Sequence, residues 1–264
     1  MRAAWLTDIH LNFLSDEEVA DFAAVLGRSQ AENILITGDI TEGPDILRHF
    51  DILSRCGKPI FFVFGNHDFY RSSFAKTRSL GAQVTPRTGS VYLTVSGWRP
   101  AGERSFYVGH DGWADGRAGD FMKSGIDLND YHLILDFAGK SKSDVLQTMR
   151  RLADDAAQYI ETELAKGFKV RDHGILLTHA PPFREAHLDP QGRPGDDDWS
   201  PHFVQQGLGD RLISLMRTMP HKRLLMLCGH THTATVHSPL ENLEVRVGGA
   251  VYGAPNIAGT VEIE

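Results

Sequence analysis

Carboxylate, amide and imidazole side chains recur in this chain at the ends of apolar runs, and these are side chains that hold metal ions. Asp8 and His10 close "AAWLTDIH", Asp39 closes "NILITGD", and Asn66 and His67 close "IFFVFGNHD". Further on, His179 closes "GILLTH", and His230 and His232 close "LLMLCGHTH". Asp8 and His10 are two residues apart, as are His230 and His232. In extended chain, residues i and i+2 point to one side, whereas on a helix they diverge. The spacing therefore predicts that each pair grips one object from one side. Glycines beside Asp39, Asn66 and His230 let the backbone come close to whatever lies there. The donor set contains oxygens and imidazole nitrogens but no thiolate, which suits manganese, iron or zinc better than calcium or a structural cysteine–zinc site. A single Gly-Asn pair is an ordinary turn former, and a single histidine is ordinarily structural. The repetition is what argues for a shared site.

Those donors need elements to present them. Each apolar run reads as a buried strand that hands the chain to a polar loop. Between the runs lie amphipathic segments. Ser15 with Glu18 forms a capping box for a helix over about 16–26 with Gly27 as its stop, and residues 44–55 predict a second helix ending at Cys56-Gly57. The longest helix is predicted over 144–166 with Gly167 after it, and a further one over 207–219. Strands alternating with helices imply parallel βα units, in which ligands sit beyond the carboxyl ends of the strands.

The composition sets outer bounds. A chain of 264 residues with 41% hydrophobic and 23% charged residues is an ordinary globular composition, without repeats or an evident linker. A net charge of -7 with interspersed signs argues against a nucleic-acid partner, which would call for a basic face. No stretch approaches the ~20 apolar residues of a membrane span, and the N-terminus lacks a signal-peptide pattern, so the expectation is a cytoplasmic protein. Composition says nothing about oligomeric state. Cys56 and Cys228 have no partner at zinc-site spacing and read as small packed apolar groups.

"DIH" at 8–10, "GD" at 38–39, "GNHD" at 65–68, "THAPP" at 178–182 and "GHTH" at 229–232 together resemble the ordered motif set of the calcineurin-like metallophosphoesterases. The resemblance implies an α/β fold: a four-layer α/β sandwich of two mixed β-sheets packed together and flanked by helices, as one domain over 1–264. Strand-rich segments near 91–108, 234–238, 243–247 and 260–264 would extend the sheets, and about 110–170 would form a helical elaboration near the pocket. It implies two divalent or mixed-valence metal ions (Mn, Fe or Zn). Asp8, His10 and His232 would hold one, Asn66, His179 and His230 the other, and Asp39 would bridge them. The activity implied is hydrolysis of a small-molecule phosphoester by a hydroxide shared between the metals, with His67 as a catalytic group beside the substrate. Glu42, three residues after Asp39 where the family more usually has Asp, would be the partner that orients His67.

One departure bears on substrate. In the family's phosphoprotein phosphatases the "GD" motif leads to an arginine that clamps the phosphate, and Gly43 stands at that place here. "THAPPF" instead resembles segments of members acting on small phosphodiesters, a slight tilt towards diesters over monoesters. A phosphoprotein phosphatase and a non-catalytic scaffold with this fold are the alternatives. His110-Asp111 reads as turn chemistry, and Asp196, Asp197 and Asp198 as a solvated acidic loop.

Overall fold

The computed structural model describes residues 1–264, and each of the five apolar runs forms a strand in it. In chain order the strands are β1 (Arg2–Leu6), β2 (Asn33–Thr37), β3 (Ile60–Val63), β4 (Val91–Tyr92), β5 (Arg99–Ala101), β6 (Ser105–Gly109), β7 (His173–Leu177), β8 (Arg223–Cys228), β9 (Thr235–Leu240), β10 (Leu243–Val247) and β11 (Gly259–Glu262). They form a five-stranded sheet in the order β11-β1-β2-β3-β4 and a six-stranded sheet in the order β5-β6-β7-β8-β10-β9. Both are mixed: β11 runs antiparallel to β1, and β5 and β9 are antiparallel edges of the second sheet, while the central pairings are parallel. Parallel strands covered on both faces read as continuous apolar runs, which is why these strands were visible in sequence.

Three cores separate four layers. Between the sheets, Trp5, Leu35 and Val63 pack with Tyr107, Ile175, Leu177 and Leu227. Outside the first sheet, Ile34, Ile36 and Phe62 meet Val19, Phe22 and Phe50 from helices Asp16–Arg28 and Ile46–Leu53. Outside the second, Phe106, Val108 and Leu176 meet Ile160, Leu164 and Leu212 from helices Lys142–Phe168 and Gln206–Arg217. The result is the α/β sandwich expected, with helices flanking two packed sheets.

The element boundaries correct two details. The Ser15–Glu18 capping box is present, but the first helix runs through Gly27 to Arg28. The long helix likewise runs through Gly167. These glycines serve close packing rather than helix termination: a Cβ on Gly27 would lie 3.1 Å from the Cys56 carbonyl, and one on Gly167 would lie 2.2 Å from the Phe106 ring. The helix Phe74–Thr88, capped by Ser73, lies outside the helices that the sequence predicts. The stretch over 110–170 divides in two. Its second half is the long helix of the outer layer, and its first half is turns with one short helix, Asp130–Leu133. Both cysteines are buried and free.

Asp111, read as turn chemistry, is buried at the end of β6 and ties four segments together. Its carboxylate accepts from the Phe64 amide (2.9 Å), the Tyr92 hydroxyl (2.7 Å), the Thr94 hydroxyl (2.8 Å) and Arg78 Nε (3.1 Å). Removing one member of a buried charged pair strands the other. Asp111→Ala should therefore cost about 3–5 kcal/mol in urea unfolding, from the usual penalty for breaking such pairs. A loss under about 1 kcal/mol would return Asp111 to an ordinary turn residue.

Candidate binuclear metal centre

The loops that follow β1, β2, β3, β7 and β8 meet along one rim, so every sequence-predicted ligand reaches the same place. On one side, donor atoms of Asp8, His10, Asp39 and His232 all lie within 4.8 Å of one another. His232 Nε2 is 3.2 Å from Asp8 Oδ1 and 3.2 Å from His10 Nε2, and His10 Nε2 is 3.8 Å from Asp39 Oδ2. On the other side, His179 Nε2 lies 3.4 Å from Asp39 Oδ1 and 3.0 Å from Asn66 Oδ1. Asp39 thus turns one oxygen to each group. The His230 ring sits 4.9 Å from that of His179, and its Nε2 faces the His202 carbonyl at 3.5 Å, which leaves Nδ1 as its accepting nitrogen.

These separations fit metal ions. Ligand bonds of about 2.0–2.2 Å put donor atoms roughly 3–4.5 Å apart, with lone pairs converging on one point. Second partners aim the donors. His179 Nδ1–H donates to the Thr37 carbonyl at 2.8 Å, so its Nε2 is left to coordinate. The Asn66 amide donates from Nδ2 to Asp130 at 2.9 Å, which turns Oδ1 inward. Asp130 also accepts from the Tyr70 hydroxyl at 2.6 Å, and the Tyr70 ring stacks on His67 at 4.3 Å. Asp68 accepts from the backbone amides of Ile40 (3.0 Å), Thr41 (2.9 Å) and Gly65 (2.8 Å), locking the loop after β2 to the loop after β3.

The paired donors converge by a different route from the one their spacing suggested. Asp8, His10, Asp39, His230 and His232 all have positive φ, between 40° and 73°. The chain has left the strand and turns sharply at each of them, in a region that non-glycine residues rarely occupy. Close approach of the loops accompanies this: a Cβ on Gly229 would lie 2.1 Å from Asp8 Oδ2, and one on Gly65 2.2 Å from Asp39 Oδ1.

Burial and charge sort the protonation states. Burial alone would raise the Asp39 carboxyl, but His179, His67 and His10 outweigh it and hold it well below the usual carboxylate range. Asp8 is lowered in the same way, with His232 and His179 overcoming burial. Burial takes His10 down to about 4 and His230 down to about 3, so both rings are neutral near pH 7. His179 resists burial because Asp39 and Asp8 face it, and it is raised to about 10.

His67 Nε2 lies 3.9 Å from Asp39 Oδ2, and its side chain is 17% exposed at the opening. Glu42 does not orient it. Glu42 instead pairs with Arg71 and accepts from Asn12 Nδ2 at 3.4 Å. The longer side chain carries its carboxylate out to the rim. Asp130 and Tyr70 are supporting residues that sequence reasoning did not find, since neither stands in a motif. Of the remaining histidines, His49 bonds Thr41, and His202 bonds Ser124 and Tyr131.

Two outcomes follow. Asp130→Ala frees the Asn66 amide to rotate and should weaken metal binding on the His179 side about 10–100-fold, the usual effect of losing such a partner. Titration with manganese followed by anomalous scattering would show one site lost first; equal occupancy would refute it. Metal binding must also displace the proton that His179 holds in the free site. Between pH 7 and 9 affinity should rise by up to about tenfold per unit, with about one proton released per chain into weakly buffered solution. Binding without proton release would contradict the raised His179.

The family profile described as calcineurin-like phosphoesterase matches residues 1–234. No curated protein sequence matches the chain. Among solved structures, the phosphopantetheinyl hydrolase PptH from Mycobacterium tuberculosis is similar at 13% identity and TM-score 0.63, covering 94% of this chain and 89% of that one. A dimetal phosphatase from Danio rerio is similar at 13% identity and TM-score 0.59, covering 94% and 87%. GAP50, named as the anchor in the inner membrane complex of Plasmodium, is similar at 14% identity and TM-score 0.52, covering 100% and 77%. At such identities these structures bear on the fold alone. With the profile spanning nearly all of the motif-bearing chain, this protein belongs to the calcineurin-like phosphoesterases.

Proposed function

We propose that the chain is a binuclear metal-dependent phosphoesterase acting on a small-molecule phosphate ester. The observation that carries this reading is the Asp39 carboxylate, buried between two groups of donors with one oxygen towards each. Asp8, His10 and His232 would hold one ion, Asn66, His179 and His230 the other, and Asp39 both. Manganese, iron and zinc suit this donor set. Bound there, the pair would lower the pKa of a shared water and draw charge from the phosphoryl oxygens. Asp8 and Asp39 return only two of the positive charges that two divalent ions bring, leaving the centre attractive to an anion.

The chain's own contribution is orientation and a proton. His67 has no metal in this assignment, and its ring is held by Tyr70 at the opening, beside Asp39. There it would protonate the departing oxygen or stabilise charge on the phosphoryl group. Gly43 is packed under the next loop, where a Cβ would meet Ser72 Cβ at 2.6 Å. A phosphate-clamping arginine has no room at that place, which weighs against a phosphoprotein phosphatase. The names of two fold neighbours, a hydrolase and a dimetal phosphatase, point towards catalysis, while GAP50 is named as an anchor. The presence of all seven donors together with His67 favours the enzyme over the scaffold. No helix is long and apolar enough to cross a membrane.

Elemental analysis with a panel of p-nitrophenyl phosphate, its bis ester, its phosphonate ester and cyclic nucleotides tests the reading. About two metals per chain and one preferred ester are expected, and metal-loaded protein inactive on every ester would sink it. Asp39→Asn should lower occupancy of both metals. His67→Ala should keep both while lowering kcat by ~10²–10⁴ on an alkyl ester, the usual range for general acid catalysis. The loss on a p-nitrophenyl ester, which departs without a proton, should be smaller. Equal losses on the two substrates would assign His67 to the phosphoryl group instead.

A further inference from the structure

Imidazole rings of the centre are overlain by an aromatic side chain that none of the chemistry above uses. Tyr252 lies between β10 and β11, beyond the last residue that the family profile matches. Its ring centroid is 4.4 Å from that of His10, 4.9 Å from that of His232 and 6.1 Å from that of His67. Phe13, from the turn that follows β1, meets Tyr252 at 5.2 Å and an interplanar angle of 64°. The two aromatics come from opposite ends of the sequence and converge only at this rim.

Both remain open to solvent, Phe13 at 57% and Tyr252 at 50% of their surface, and neighbouring Val251 is 66% exposed. Single exposed apolar residues are ordinary, but here they gather against a centre made of carboxylates and imidazoles. The turn bearing Phe13 is also held in place. Its neighbour Asn12 bonds Glu42, and Glu42 pairs with Arg71, so the residue that does not orient His67 secures this wall.

We propose that Tyr252 and Phe13 form an aromatic wall for the leaving group, and that the preferred ester carries a planar, unsaturated one. The inference rests on the phosphoesterase reading, which puts the phosphoryl group on the donors and the departing oxygen towards His67. Tyr252 overlies His10 and approaches His67, so a group leaving past His67 runs along its ring. A planar group can stack there, whereas an alkyl chain gains only contact area.

The test compares phenylphosphonate with propylphosphonate by isothermal titration calorimetry on the manganese-loaded full chain. Wild type should bind the phenyl compound about tenfold more tightly, the size of one good aromatic pair. Tyr252→Ala should reduce that ratio to within about twofold, Tyr252→Phe should keep it, and Phe13→Ala should fall between. Metal content measured on each variant separates loss of the wall from loss of the centre. Equal affinities in wild type, no binding of either compound, or an equal loss for both in Tyr252→Ala would overturn the proposal. Aryl preference without turnover of any ester would remove the hydrolytic reading and leave the wall. Turnover without aryl preference would do the reverse.

Discussion

The structure depends on keeping one carboxylate both buried and charged. Asp39 is 1% exposed, and an isolated carboxylate at such a place would cost several kcal/mol and take up a proton. Here the His67 amide donates to it at 2.9 Å, and His10, His67 and His179 surround it, so it stays ionised. Asp68 lies equally deep but meets the opposite fate. Burial and the charge on Asp39 push its carboxyl well above the usual range, and its oxygens are taken up by backbone amides. Two buried carboxylates on neighbouring loops thus divide the work: one is held charged at the centre, the other is a clamp between loops.

That division needs unusual backbone, and the sandwich makes it tolerable. A non-glycine residue held at positive φ costs of order 1–3 kcal/mol, and five of the seven donors are so held. Each follows a strand whose last residues are fully buried, as in β2 and β8, so the chain enters the turn already fixed in position. The sheets therefore do more than gather the ligands. They supply packing that a free loop lacks, and so keep several strained residues in one arrangement.

The strands and their polar endings were legible because buried parallel strands leave long apolar runs and because the donors stand directly after them. The alternation of strands with helices and the gathering of the polar endings on one rim followed from that pattern, while the sandwich and the division of the donors between two metals were implied by the family resemblance. The rest depends on contacts distant in sequence. The helix Phe74–Thr88 contains Pro86 and Gly81 and shows little apolar periodicity, and its place is set by Phe64 and Tyr92, which leave room only for a glycine at 81. Asp130 is one acidic residue in an irregular stretch until the fold brings Asn66 to it. Asp111 resembled a turn because a buried hub with four donors has no local signature. Glu42 misled for a physical reason, since one extra methylene carries a carboxylate to Arg71 rather than to His67.

The two sides of the centre are not supported alike. Around Asp8, His10 and His232, the second partners are mostly other donors of the centre and the backbone of the same loops. Around Asn66, His179 and His230, they include Asp130 and the His202 carbonyl, from segments that belong to neither sheet. Such segments can change length and composition without disturbing the sandwich, because their backbone is satisfied outside the strand ladders. Variation there acts on the aim of Asn66 and His230 and on the space beside them, while Asp39 stays fixed by the strands. The position of Asp39 is therefore set by the sheets, and the aim of Asn66 and His230 by loops that the sheets leave free.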